Sequence, residues 1–142
     1  MSKLAIVYWS GTGNTEMMAN LVAEGAKKSG ADVTLYSPDE FSQTIIQDYD
    51  KIAFGCPSMG SEELEDTEFE PMFSAVESLL KDKTIGLFGS YDWGDGEWMR
   101  TWQETCKSDG AVLIDNGVIS QDAPDEEASE ACRQLGAKLA AA

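Results

Sequence analysis

The sequence predicts a three-layer α/β/α protein, in which an open sheet of five parallel strands carries helices on both faces. Strand-like and helix-like segments alternate along the whole chain. The cleanest strands, 3–9 and 84–90, are apolar nearly throughout, as strands covered on both faces are. A glycine-rich loop also joins the first strand directly to a helix. Right-handed crossovers between parallel strands bring the loops that follow those strands to one edge of the sheet, the carboxyl edge, where ligands of such sheets bind. At 142 residues the chain is read as a single domain, 1–142, able to bury roughly two-thirds of its unfolded surface.

Each element has its own signal. The run 3–9 ends in Tyr8 and Trp9, and the helix expected over 15–29 carries Met18, Leu21 and Val22 on one face and closes at Gly30. A shorter, half-polar strand follows at 31–36. Residues 37–50 contain Pro38 and the pair Ile45 and Ile46 but fit no period, so they are read as a loop or irregular helix. A third strand is expected at 51–56 and a helix at 68–80, with Pro71 in its first turn, where a missing N–H costs nothing. After the strand at 84–90, Trp98, Met99, Trp102 and Cys106 recur at helical spacing within 97–108, which closes at Gly110. A fifth strand over 111–120 and a last helix over 125–140 complete the alternation. These apolar stripes are read as core.

The loop after the first strand, Ser10-Gly11-Thr12-Gly13-Asn14-Thr15, has the make-up of a phosphate cradle. Gly11 and Gly13 reach backbone angles closed to other residues, so several N–H groups can face one anion at a helix start. A nucleotide P-loop would end in Gly-Lys-Ser/Thr, yet no lysine or arginine lies between Lys3 and Lys27. The third glycine of a dinucleotide fingerprint would fall at Glu16, where a carboxylate opposes a pyrophosphate. The implied ligand is a lone terminal phosphate held by neutral groups. Taken by itself, the loop is read equally well as an ordinary strand-to-helix turn with Thr as N-cap.

Charge and composition exclude several functions. Lysine and arginine number 10 against 26 acids, a formal charge of -16, which repels nucleic acid and anionic membrane and selects basic partners. The chain has no histidine, which removes histidine-based hydrolase triads. Cys56, Cys106 and Cys132 form no Cys-x-x-Cys pair and are too few for an all-cysteine iron–sulfur cluster, so each is read as a small buried hydrophobe. No residue is assigned a catalytic or metal-ligating role. Neither a signal peptide nor an apolar run of membrane-spanning length is found, and a cytoplasmic protein is expected.

The motifs Y-W-S-G-T-G-N-T, G-C-P-S-M-G-S-E-E-L-E and F-G-S-Y-D-W-G-D-G-E-W-M, correctly spaced on an acidic chain, closely resemble flavodoxin, in particular the short-chain type of anaerobic bacteria. The resemblance covers essentially the full length. It implies the flavodoxin-like strand order 2-1-3-4-5 and a monomeric, low-potential one-electron carrier. Such a carrier binds flavin mononucleotide (FMN) non-covalently and cycles mainly between semiquinone and hydroquinone. By the same resemblance, Ser10, Gly11, Thr12, Gly13, Asn14 and Thr15 hold the FMN phosphate, while Met59 and Trp93 cover the two faces of the ring. Glu62 accepts from the ring N3–H; Ser58, Met59, Gly60 and Ser61 border the N5 edge; and Ser90, Tyr91, Asp92, Trp93 and Gly94 lie at the pyrimidine edge. The Gly60–Ser61 peptide flips on reduction so that its carbonyl accepts from N5–H.

Partners implied by the resemblance are basic surfaces of larger redox enzymes, such as pyruvate or ferredoxin-NADP oxidoreductase, hydrogenase or nitrogenase. Two residues depart from the family pattern: Pro57 takes a slot where a hydroxyl can help bind phosphate, and Asp92 stands where glycine is frequent before the tryptophan. Acids around the ring oppose its second electron; one charge ~10 Å away costs about 0.4 kcal/mol in water and severalfold more near protein, so several together shift a potential by on the order of 100 mV. The alternative on the same fold is an FMN-dependent quinone or disulfide reductase, which needs a substrate pocket that so short a chain has no insertion to build. A phosphoacceptor signalling module of similar architecture needs acids at the end of the first strand, where Tyr8, Trp9 and Ser10 stand.

Overall fold

The structure, a computed structural model, describes residues 3–142. Strand β1 (Lys3–Tyr8) leads into helix α1 (Asn14–Lys28), then β2 (Asp32–Tyr36). The aperiodic stretch that follows is irregular, as its sequence suggests, with a 3-10 turn (Pro38–Glu40) and a short helix α2 (Gln43–Ile46). Next come β3 (Lys51–Gly55), α3 (Phe69–Val76) running into a 3-10 turn (Glu77–Leu79), β4 (Thr84–Tyr91), α4 (Glu97–Ser108), β5 (Val112–Leu113), β6 (Val118–Gln121) and α5 (Glu126–Ala141). The strands form one sheet in the expected order β2-β1-β3-β4-β5, every pair parallel, with β6 also pairing β4.

Burial on both faces follows from the period of two in the strands. Ala5 and Val7 of β1, Ile52 and Phe54 of β3, and Ile85 and Leu87 of β4 pack on one side with Phe69, Phe73, Trp98 and Trp102 of α3 and α4. Their neighbours Leu4, Ile6, Ala53 and Phe88 face the other side, against Met18 and Val22 of α1 and Leu135 and Leu139 of α5. Trp98 and Trp102 are buried, as their helical spacing predicts. Each large apolar side chain placed there contributes about 1.5–3 kcal/mol relative to exposure.

The single fifth strand expected over 111–120 is instead two short pieces, β5 and β6, separated by residues 114–117. The break has local causes. Asp115 pairs with Lys138 of α5 and accepts from the Asn116 N–H at 2.8 Å, and the Gly117 N–H donates to Gln103 Oε1 of α4 at 2.6 Å. Ile114 N–H still donates to Ile85 O at 3.0 Å, and beyond it side chains of the flanking helices take residues 115–117 off the ladder. The Asp115 carboxyl lies below its ordinary value because of the hydrogen bond from Lys138, then that from Asn116.

Helices α1 and α5 touch through backbone. A Cβ at Gly25 would stand 2.0 Å from the Arg133 carbonyl oxygen, and one at Gly136 would stand 2.0 Å from that of Val22. Neither oxygen can swing away as a side chain could. We therefore expect Gly25→Ala to destabilise the protein by about 1–3 kcal/mol, although alanine ordinarily favours a helix by about 1 kcal/mol over glycine. A lowered midpoint in urea unfolding is the expected result.

Candidate functional site

At the carboxyl edge of the sheet, the loops after β1, β3 and β4 converge, and each is tied to the start of a helix. The first loop closes on Ser10, whose Oγ accepts from the N–H groups of Gly13 (3.1 Å) and Glu16 (3.2 Å). Gly13, not a threonine, is the N-cap of α1, with φ 97 in the left-handed region. Inward N–H groups of a helix start thus already meet a neutral oxygen. Behind them, Thr15 Oγ1 and Ser90 Oγ share a hydrogen bond of 3.0 Å that ties the first turn of α1 to the end of β4. Trp9 leans over the same loop, with its ring 3.0 Å from where a Gly11 Cβ would lie and its indole N–H donating to Glu68 Oε2 at 2.7 Å.

The second loop continues the β3–β4 pairing for a few residues. The N–H groups of Cys56 and Ser58 donate to Phe88 O (3.1 Å) and Ser90 O (2.9 Å), so Pro57 falls at the position between them, which owes β4 no donor. Beyond it the chain turns tightly, with Met59 and Glu63 exchanging backbone bonds at 2.8 and 2.9 Å. Gly60 (φ 51) and Glu62 (φ 56) both lie in the left-handed region. The Glu62 carboxylate crosses to the third loop, where it rests against Gly94 and Oε1 accepts from the Glu97 N–H at 3.0 Å, at the start of α4.

Glu65, part of a run that reads in sequence as a solvated acidic stretch, is 4% exposed. Its carboxylate accepts from the N–H groups of Thr67 (2.9 Å), Glu68 (2.8 Å) and Phe69 (2.8 Å) and from the Thr67 hydroxyl, capping α3. Burial opposes its charge, but the hydrogen bonds outweigh burial and hold the carboxyl below its ordinary value.

Between the loops lies a cleft of about 220 Å³ lined by Trp9, Gly11, Thr12, Asn14, Thr15, Pro57, Ser58, Met59, Ser90, Tyr91 and Asp92. Ser10, Gly13, Gly60, Ser61, Glu62, Trp93 and Gly94 belong to the loops that frame it rather than to its wall. No lysine or arginine lines it among the described residues. Met59 (38% exposed) on its wall and Trp93 (56%) in the adjoining loop are exposed apolar side chains. Sequence reasoning missed Asp122, which also lines the cleft. It follows β6 with φ 60, and its N–H donates to Tyr91 O at 2.8 Å. Its place after a strand at the carboxyl edge was the available signal. A larger open trough, about 820 Å³, runs along β6 and α5 past Asp115 and Lys138 and shares Tyr91 with the cleft but none of the loop residues before it.

The flavodoxin family model matches residues 6–136. The chain is 42% identical over 137 residues to a flavodoxin of Clostridium beijerinckii, covering 96% of this chain and 99% of that one. Its identity to a flavodoxin of Megasphaera elsdenii is 44%, covering 96% and 98%. The chain belongs to the flavodoxin family. A solution structure of the two-electron reduced Megasphaera elsdenii flavodoxin superimposes with a TM-score of 0.90 at 45% identity, covering 98% of this chain and 99% of that one. The oxidised flavodoxin 1 of Bacillus cereus does so with 0.86 at 29%, covering 97% of each.

As a flavodoxin, the chain binds FMN and carries electrons; it is not an enzyme. The site fits that cofactor: a neutral, hydroxyl-rich cradle at a helix start suits a phosphate, and two bare apolar side chains suit a flat ring. The cysteines fit it too, because Cys56, Cys106 and Cys132 are all buried and burial pushes each thiol up to about 12. A disulfide reductase acting through its own thiols needs a reachable thiolate, which these are not.

Glu65 supports the second loop, and its charge is part of that support. A folded-state carboxyl held below its ordinary value of 4.5 adds stability at pH above that value and loses it as pH falls through the lower, folded value. Glu65→Gln should cost about 1–3 kcal/mol at pH 7, since an amide cannot accept all the N–H groups now bound. The gap between wild type and variant should shrink as urea melts are repeated below pH 4.5.

Proposed function

We propose that this flavodoxin works mainly at its lower-potential, second-electron couple, delivering single electrons to basic surfaces of larger redox enzymes as a cytoplasmic monomer. The observation that carries the cofactor side of this reading is the neutral cradle on Ser10, set beside the bare Trp93 and Met59. FMN supplies the one-electron chemistry, and the protein chooses how firmly each charge state is held.

In this reading the N–H groups of Gly13 and Glu16, with the hydroxyls of Ser10, Thr12 and Thr15 and the amide of Asn14, hold the phosphate of FMN. Gly11 leaves room for the Trp9 ring beside them. Trp93 and Met59 cover the two ring faces; Tyr91, Asp92 and Gly94 meet the pyrimidine edge through backbone, with Ser90 behind them; and Ser58 and Ser61 border N5. Glu62 accepts from the ring N3–H while its Oε1 keeps the bond to Glu97. Pro57 has no N–H to offer, and its carbonyl accepts from the Cys56 thiol at 3.5 Å, so the Ser58 hydroxyl takes over the donor that a hydroxyl residue would supply. Asp92 and Asp122 add carboxylates at the cleft and oppose further negative charge there. Named partners such as pyruvate or ferredoxin-NADP oxidoreductase, hydrogenase and nitrogenase meet the requirement for a basic docking face, and a charge of -16 supports steering toward them.

The cradle predicts selectivity among flavins. Riboflavin lacks the phosphate and leaves the inward donors with nothing beyond Ser10, so it should bind roughly 100-fold more weakly, given that each hydrogen bond to a charged group is worth about 1.5–3 kcal/mol. Quenching of flavin fluorescence measures both affinities. Equal affinities would show that the loop only caps α1, and a protein that takes up no FMN would sink the reading.

Gly60 sets a second expectation. A Cβ there would meet open space, but φ 51 is a conformation that β-branched residues resist. Gly60→Val should therefore cost on the order of 1 kcal/mol in the turn whose carbonyl meets N5–H, bringing the two one-electron midpoints closer together with little change in affinity for oxidised FMN. Unchanged midpoints in a redox titration would remove the turn from the tuning of the flavin.

A further inference from the structure

A groove of about 460 Å³ runs between α3 and α4, and its top ends at Glu62. Its floor is apolar, made by Leu64, Phe73, Trp98 and Trp102. Its rim is acidic: Glu62, Glu63, Asp66, Glu70 and Glu77 line it, with no lysine or arginine among the described residues. Phe73 (4% exposed), Trp98 and Trp102 (2% each) are almost covered, so a narrow apolar strip lies open between carboxylates of one sign. The local field is already felt by Glu77, whose carboxyl is raised by burial first and then by Asp109 and Glu70.

We propose that this groove seats an arginine-bearing, otherwise apolar segment of the redox partner, an inference that rests on the carrier function above. The chemistry of the groove selects that occupant. An arginine lays its alkyl stem along apolar surface and keeps its guanidinium at the rim, where it pairs with carboxylates through a planar fork. A helix of lysines and polar residues would leave the floor wet, and a wholly apolar segment would leave the rim carboxylates desolvated without partners. Position supports the same reading. Glu62 at the top of the groove rests on Gly94, next to Trp93, so a segment seated here reaches the loop that borders the flavin.

Trp102 provides the reporter. Whereas Trp98 donates its indole N–H to Cys56 O at 3.2 Å, the Trp102 indole N–H makes no hydrogen bond among the described residues. The test uses the FMN-loaded protein and a short synthetic peptide of alternating arginine and leucine, followed by titration of the assigned indole N–H resonances and by peptide affinity. Binding should move the Trp102 resonance and leave that of Trp9 in place. Glu70→Lys, which reverses a rim charge, and Thr101→Trp, which fills the groove from an exposed position of α4, should each weaken the peptide by about tenfold. Glu104→Lys, the same charge change outside the groove, should not.

The proposal is overturned if the peptide does not bind, if it moves Trp9 or Trp93 and not Trp102, or if Glu104→Lys weakens it as much as Glu70→Lys. The visible flavin spectrum of the same samples keeps the two readings apart. A protein without flavin would count against FMN binding, whereas a yellow protein indifferent to the peptide would count against the groove alone.

Discussion

Unpaired backbone N–H groups at helix starts are the constraint on which the rest of this structure depends. A parallel sheet joined by helices brings the N-termini of those helices to the edge where its strands end, and each has donors without partners in the helix. Here the cofactor loops themselves supply the acceptors: Ser10 for α1, Glu65 for α3 and Glu62 for α4. Each bond stabilises a helix and, in the same stroke, fixes a loop. Loop geometry at the site is therefore set by capping, before any cofactor contributes.

Those acceptors differ in charge. The α1 start is met by a hydroxyl, whereas the α3 start and the Glu97 N–H of α4 are met by carboxylates. Of these three helix starts, α1 alone is met by a neutral acceptor, although Glu16 stands in its first turn. The chain as a whole carries a formal charge of -16, which makes further negative charge costly and favours basic partners at a distance.

The rival enzymatic reading on this fold is set aside by the family. The loops after β1, β3 and β4 leave a cleft of about 220 Å³ and no inserted segment to enclose a substrate over it. With all three thiols buried and no histidine in the chain, the protein also lacks the side chains most used to pass protons or attack a substrate at neutral pH. What remains is exposed apolar surface at Met59 and Trp93.

By itself the sequence determined what depends on short-range physics. Continuous apolar runs and stripes at helical spacing placed the strands and helices, and Gly11 and Gly13 amid hydroxyls marked the loop that turns into α1. The charge balance and the lack of histidine limited the chemistry, and the three motifs carried the family. Tertiary structure alone decided matters that hang on distant partners. Whether Glu65 is solvated or buried depends on α3 starting against it, and Glu62 meets Glu97 across 35 residues of chain. Asp122 enters the cleft because β6 pairs with β4, and the fifth strand breaks at 114–117 because Gln103 and Lys138 reach it from neighbouring helices. A carboxylate in an acidic run carries no local mark of the donor it will meet, since that donor is fixed only when the chain crosses the sheet and returns.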